Sequence, residues 1–200
     1  MSEYQRMISG QLYRASKIEK KYNPQASRAL AQKINQVSLL DQEQIIRLEK
    51  ELFGSTGENI YVNPPLHVDY GFNTHIGENF YANTDCMFMD VAPITIGDDV
   101  MLGPRVSLIT PMHPLDAGVR VRGLEYAKPI TIGKRVWLGA GVIVNPGVNI
   151  GDNTIVGSGA VVTKDLPENV IAVGNPARIL REITEEDKKY WEEQEKNYFN

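Results

Sequence analysis

Few side chains in this chain suit acid–base or nucleophilic chemistry near neutral pH. There are three histidines, His67, His75 and His113, and one cysteine, Cys86. His113 stands in Met112-His113-Pro114, within a stretch that carries prolines, glycines and charge but no aliphatic stripe. The ordinary pKa of histidine makes it the usual general base at physiological pH; the alternative is a surface histidine with no task. Glu125, in Gly123-Leu124-Glu125-Tyr126, lies in the same stretch. Its carboxylate can accept a hydrogen bond from one ring nitrogen and leave the other as the base, or it can simply be solvated. His67 and His75 lack such a context and read as structural or pocket-lining. Cys86 has no histidine near it in sequence and reads as packing rather than as a nucleophile.

Two further sets are polar. Asp69, Asn83 and Asp90 fall among turns, where short polar side chains bond their own backbone; the functional reading is that they orient hydroxyl groups of a ligand. Lys164, Arg178 and Arg181 are cations gathered late in a chain of net charge −4. Surface solvation accounts for each of them singly, and phosphate recognition accounts for their grouping. Trp137 precedes Leu138 at a corner of the repeat described next. An outward indole there is costly unless it packs, either along a ligand channel or against another subunit.

A repeat must position these groups. Every sixth residue from Ile132 is aliphatic: Leu138, Val144, Ile150, Val156 and Val162. Four of these six are followed by glycine, at Gly133, Gly139, Gly151 and Gly157; Asn145 and Thr163 follow the others. Four positions after the first five come Val136, Val142, Val148, Thr154 and Ala160, all small or β-branched. A period of six is neither the 3.6 of a helix nor the 2 of a strand. It predicts a short strand and a tight corner, repeated, with glycine at the corner for backbone angles that other residues resist. One hexapeptide cannot bury its aliphatic residue alone, so the units must stack. The pattern is present at Ile96-Gly97, Leu102-Gly103 and Leu108, fails from 109 to 128, and restarts at Pro129-Ile130-Thr131-Ile132. Residues 109–128 are therefore an insertion between coils, and long loops in compact domains are usually functional or disordered.

The flanks read differently. Residues 1–56 form a helical segment. Asn23-Pro24 suggests an N-cap with proline at the first helical position, followed by a stripe of Ala26, Ala29, Leu30, Ile34 and Val37. Asp41 with Gln44 predicts a capping box, Leu40 with Ile45 a hydrophobic staple, and Ile45, Leu48 and Leu52 a buried face ending at Gly54. Such a segment can cap the open end of a solenoid spanning 57–183. Thr184 with Asp187 opens a closing helix over 184–200. The chain is 42% hydrophobic and 23% charged, as in ordinary globular proteins, and its acidic balance gives no prior for nucleic acid. No run reaches the ~18 apolar residues of a membrane span, and the N-terminus lacks an apolar signal core. A lone cysteine fits a reducing compartment, so the protein reads as cytoplasmic.

The hexapeptides resemble those of the hexapeptide-repeat acyltransferases. Asp69-Tyr70-Gly71, Asn79-Phe80-Tyr81-Ala82-Asn83 and Val173-Gly174-Asn175-Pro176-Ala177-Arg178 are similar to phrases of the maltose and galactoside O-acetyltransferases. The resemblance implies a mainly β chain wound as a left-handed parallel β-helix with three hexapeptides per coil, so that Ile132 stacks under Ile150, Leu138 under Val156 and Val144 under Val162. It implies a homotrimer with active sites between subunits, acetyl-coenzyme A as co-substrate, a sugar or glycoside hydroxyl as acceptor, and no metal. The family's catalytic histidine falls at His113, and the reading of Cys86 as packing favours direct transfer over a covalent acyl-enzyme. Asn83 and Asp69 fall at acceptor positions, and Asp90, expected to bind acceptor with them, falls at a family acidic pair whose second member here is Val91. Coenzyme binding is implied for Ala140, Ser158, Thr163, Lys164, Arg178 and Arg181; Trp137 joins them on the channel-lining reading of its indole, and the Ala140 N–H is the expected oxyanion donor. One departure leaves the acceptor open: no acid stands at Arg14-Ala15, where galactoside enzymes place an aspartate. Antibiotic or serine acceptors are alternatives. So are a zinc-dependent lyase like the γ-carbonic anhydrases, built on the three histidines, and a non-catalytic sugar-binding scaffold.

Overall fold

A computed structural model describes residues 1–199. Its strands fall into three parallel sheets that form the faces of a triangular solenoid. Face one stacks Ile60–Val62, Phe80–Ala82, Met101–Leu102, Trp137–Leu138, Ile155–Val156 and Val170–Val173, and an antiparallel strand, Arg178–Glu182, closes it. Face two stacks Leu66–Val68, Cys86–Met89, Ser107–Ile109, Ile143–Val144 and Val161–Val162. Face three stacks Thr74–Ile76, Ile94–Ile96, Ile130–Ile132 and Asn149–Ile150. The expected pairs are present in register: Ile132 with Ile150, Leu138 with Val156, and Val144 with Val162. All six of these side chains are buried, as are Val136, Val142, Val148, Thr154 and Ala160. A two- or three-residue strand has little stability alone; stacking gives each buried side chain a neighbour above and below.

The repeat glycines have a different reason from the one their sequence suggests. None of Gly133, Gly139, Gly151 and Gly157 has a positive φ. A Cβ on Gly139 would stand 2.7 Å from the Ser158 nitrogen of the next coil. Close approach of backbones excludes a side chain there. The left-handed residue comes two positions later, at Arg135, Gly141, Gly147, Asn153 and Gly159.

The flanking segments close the solenoid. Helix α1 (Glu3–Ile8) carries a reciprocal capping box between Ser2 and Gln5. Helices α2 (Gln25–Ile34) and α3 (Gln42–Leu52) lay Ala31, Ile34, Ile45, Leu48 and Leu52 on the main core. Ala26 and Ala29, expected in that stripe, are exposed. Asn23 accepts a hydrogen bond from the Gln25 N–H, and Asp41 accepts one from the Gln44 N–H at 3.2 Å. The Leu40 staple does not form, because Leu40 is 96% exposed. The insertion is structured: Pro111–Met112 pairs antiparallel with Tyr126–Ala127, and a short helix, α4 (Ala117–Val121), lies between them. Helix α5 (Glu185–Phe199) opens on Thr184 and Asp187, bonded to each other in both directions, and buries none of its residues. Asn200, part of the expected helix, lies outside the described residues.

Candidate active site

The candidate residues lie along two edges of the solenoid. Asn83, Ala140 and Ser158 stand where face one turns into face two. The backbone ladder through Asn83, Gly103, Gly139 and Gly157 fixes that column. Ala140 and Ser158 are exposed, and the Ala140 N–H makes no hydrogen bond among the described residues. Asn83 is half-buried and accepts from the Thr84 N–H at 2.8 Å through its side-chain oxygen. Trp137 lies on face one beside this edge, 49% exposed, in register between Met101 and Ile155.

Asp69, Asp90, the root of the insertion, Thr163 and Lys164 stand on the other edge, where face two turns into face three or ends. The four steps of chain from Gly141 to Asn145 that separate the two edges span about 13 Å at ~3.3 Å per residue.

A second apolar cluster builds the Asp69 edge. It joins Met7 and Tyr13 from the N-terminal segment, Tyr70 from the turn after face two, Val91 and Ala92, and Ala127 from the insertion. Tyr13 also bridges to Glu125 through both backbone groups, at 2.9 and 3.0 Å. Its hydroxyl donates to the Glu125 carboxylate at 2.9 Å. Burial, and then the Glu125 charge, hold the Tyr13 hydroxyl far above the ordinary tyrosine range. The N-terminal segment thus acts as a third strand beside the hairpin of the insertion.

His113 is the next residue after Pro111–Met112, exposed, and its ring makes no hydrogen bond among the described residues. Continuing the hairpin register by one residue places His113 across from Glu125. The expected bond between them is not formed; Glu125 is held by Tyr13 instead.

Asp90 requires a correction. It is fully buried, and its carboxylate accepts from the Tyr70 N–H at 2.7 Å and the Thr74 hydroxyl at 3.0 Å. Burial pushes its pKa up, opposed by these bonds. Asp90 holds the Tyr70–Gly71 turn and has no surface to offer an acceptor. Asp69 is mostly buried and pairs with Arg28 of α2.

Of the cations, Lys164 and Arg178 are exposed, and Arg178 donates to its neighbour's carbonyl, on Ala177, at 2.8 Å. Arg181 is engaged: it clasps Asp187 of α5 through two bonds of 2.6 and 2.8 Å. That guanidinium, then the Thr184 N–H, holds the Asp187 carboxyl well below the usual range. The three histidines do not converge. His67 is on face two, His75 is on face three bonded to Ser55 at 3.0 Å, and His113 is on the insertion. Among the described residues no cluster of three or more His, Cys, Asp or Glu is placed to hold a metal. Cys86 is buried, and desolvation pushes its thiol up to about 11, which leaves it no nucleophilic role. Sequence reasoning missed Tyr13 and Arg28, whose partners are remote in the chain and announced by no local pattern.

Comparison with known proteins agrees with this architecture. Residues 129–164 match the bacterial transferase hexapeptide family, and residues 6–57 match the maltose acetyltransferase hexapeptide capping motif. The galactoside O-acetyltransferase of Escherichia coli K12 is 49% identical over 144 residues, 72% of this chain and 71% of that one. The crystal structure of a maltose O-acetyltransferase from Clostridium difficile 630 superposes with a TM-score of 0.89 at 44% identity, covering 92% of this chain and 98% of that one. A galactoside acetyltransferase in complex with coenzyme A also gives 0.89, at 40% identity and 94% coverage of both chains. The solenoid is accordingly a left-handed parallel β-helix. The chain belongs to the hexapeptide-repeat acetyltransferases, in the group that holds the maltose and galactoside O-acetyltransferases.

Proposed function

We propose that this protein is an acetyl-coenzyme A-dependent O-acetyltransferase acting on a hydroxyl of a sugar or glycoside, with His113 as general base. One observation carries the reading of the site. An exposed imidazole with no internal partner stands on one edge, and an exposed, unpaired Ala140 N–H stands on another. His113 takes the proton of the acceptor hydroxyl as its oxygen bonds to the thioester carbonyl carbon. The Ala140 N–H donates to the carbonyl oxygen while that oxygen carries negative charge, a contribution typically of about 3 kcal/mol. The C–S bond then breaks, and His113 returns its proton to the departing thiolate. Because the donor is main chain, alanine serves here as well as a polar residue.

The small exposed residues Ala140 and Ser158 leave room for a pantetheine arm beside Trp137, and Thr163, on the opposite edge, meets it from a neighbouring chain. Lys164 and Arg178 offer cations to the phosphates, and Arg181 joins them by exchanging Asp187 for a phosphate. Asn83 and Asp69 hold the acceptor.

The active form is a homotrimer. The edge with Asn83 and Ala140 and the edge with His113 belong to the two sides of face two, so one chain's His113 works against a neighbour's Ala140. Closed cyclic symmetry suits a contact in which each chain offers unlike surfaces to its two neighbours. The deciding experiment incubates the protein with acetyl-coenzyme A and a panel of saccharides, reading free thiol. Saccharide-dependent release that His113→Ala abolishes supports the reading. Release that no saccharide raises above background hydrolysis refutes it.

A further inference from the structure

Helix α2 is fastened to the first strand of face two at both of its ends. At the C-terminal end, Asn35 donates to the Leu66 carbonyl at 2.9 Å and accepts from the Leu66 N–H at 2.8 Å. Seven residues earlier, the Arg28 guanidinium reaches Asp69, three residues beyond Leu66. Seven residues of helix rise about 10.5 Å, and three residues of strand span about 10 Å. The lengths match, so both contacts belong to one docking geometry, with the helix running antiparallel to the strand.

The Asn35 clamp and the apolar face of α2 already dock the helix, which leaves the Arg28–Asp69 pair unexplained as a mere fastener. Exposed ion pairs contribute little to stability, and here the arginine side chain is 52% exposed while the aspartate side chain is 9% exposed. Arg28 uses one N–H on Asp69 and keeps its other donors open, since the guanidinium has five. The second Asp69 oxygen makes no hydrogen bond among the described residues, and it is not one of the sealed unpartnered atoms. Acceptor and donors thus stand side by side. They adjoin Tyr70, which shares an electrostatic neighbourhood with Asp69, Arg28 and Glu125. This is the edge on which the His113 insertion is rooted.

We infer that Arg28 and Asp69 together form a subsite that reads two adjacent hydroxyls of the acceptor. One hydroxyl donates to the open oxygen of Asp69, and its neighbour accepts from a free N–H of Arg28. Neutral vicinal diols suit this pairing because each partner satisfies one hydroxyl and the net charge of the subsite is zero. Arg28 is then a specificity-determining residue supplied by the capping segment. The inference rests on the sugar-acceptor reading above.

The test is steady-state kinetics of Arg28→Ala and Arg28→Lys with the best saccharide acceptor and its monodeoxy analogues. Losing a hydrogen bond to a charged group costs about 10- to 100-fold. Arg28→Ala is expected to raise KM for the saccharide by that factor, with KM for acetyl-coenzyme A shifted less than about threefold. Arg28→Lys restores part of the loss, lacking the planar fork. The unaltered protein discriminates against one monodeoxy analogue, and Arg28→Ala loses that discrimination. A lowered melting temperature with deoxy discrimination intact means that Arg28 only docks the helix, and overturns the inference. If Arg28→Ala does not accumulate folded, Arg28→Lys carries the same comparison. Transfer by the unaltered protein to no saccharide at all overturns the acceptor reading itself, and this subsite with it.

Discussion

Glu49 offers a prediction that the structure makes quantitative. It lies on α3, fully buried against the first coil, one turn from Ile45 on the face that the sequence marks as apolar. One carboxylate oxygen accepts from the Val62 N–H at 3.1 Å, and the other is buried without a partner. Burial pushes the carboxyl from its ordinary 4.5 up to about 8, opposed by the Val62 bond. The sign follows from where the proton is held. Between those two values the folded chain keeps a proton that the unfolded chain has lost, so this group's contribution to stability is full below about 4.5 and is lost as pH rises through about 8. Each pH unit in the window costs about 1.4 kcal/mol, and allowing for relaxation of the site the whole window is worth ~3–5 kcal/mol. Glu49→Gln keeps an oxygen for the Val62 N–H and cannot ionise. Denaturant melts of both proteins at half-unit steps from pH 5 to 9 isolate this one group, because all other titrations cancel in the difference. The variant should equal or fall slightly below the unaltered protein at pH 5 and exceed it by a few kcal/mol at pH 9. In thermal melts that gain is on the order of 10 °C for a chain of this size. A stability difference that stays flat across the window refutes the reasoning, for it would mean that Glu49 ionises in the fold without cost.

Other expectations follow from the site and the repeat. His113→Ala should lower turnover by roughly 10²–10⁴-fold with acetyl-coenzyme A affinity, read by calorimetry, little changed. Mixing His113→Ala with Asn83→Ala subunits by unfolding and reassembly should restore part of the activity, since some sites then hold both residues; a clean trimer without restoration removes the shared site. Ser158→Phe should raise KM for acetyl-coenzyme A while the melting temperature holds, because Ser158 is exposed. Gly139→Ala should destabilise more than Gly141→Ala, although only Gly141 has a positive φ, of 68°. A Cβ at 141 meets nothing within 4 Å and costs about 1 kcal/mol in backbone strain, whereas one at 139 strikes the next coil. The reverse order in thermal melts would count against close approach as the reason for the repeat glycine.

The solenoid was legible because a period of six can be satisfied only by stacking, and stacking dictates its own register. Ile132 over Ile150 is thus a consequence of spacing alone. The same logic identified the insertion as the place where the period fails. What was not legible depends on contacts that spacing does not encode. Tyr13 meets Glu125 across 112 positions, and Arg28 meets Asp69 across 41. Buried Glu49 sits where a periodic reading expects an apolar residue or a solvated one. The glycine corner was located correctly and explained wrongly, since sequence shows that a side chain is absent but not whether angle or proximity removed it. Leu40 failed as a staple because the chain enters α3 with that residue turned to solvent.

Periodic and aperiodic sequence carry different parts of the candidate site. Ala140 and Ser158 belong to the repeat, where the backbone is fixed by the coils on either side. Arg28, Tyr13, Glu125 and His113 belong to segments that no period governs, and the satellite cluster of Met7, Tyr13, Tyr70 and Ala127 joins those segments to the coil that carries Asp69. Acceptor preference can therefore drift by exchange of the capping segment and the insertion as a matched pair, while the donor half stays locked by the geometry of the coils. A chimaera that takes only one member of that pair from a relative would inherit a Tyr13 without its Glu125, and its base would lose its footing before any coil did.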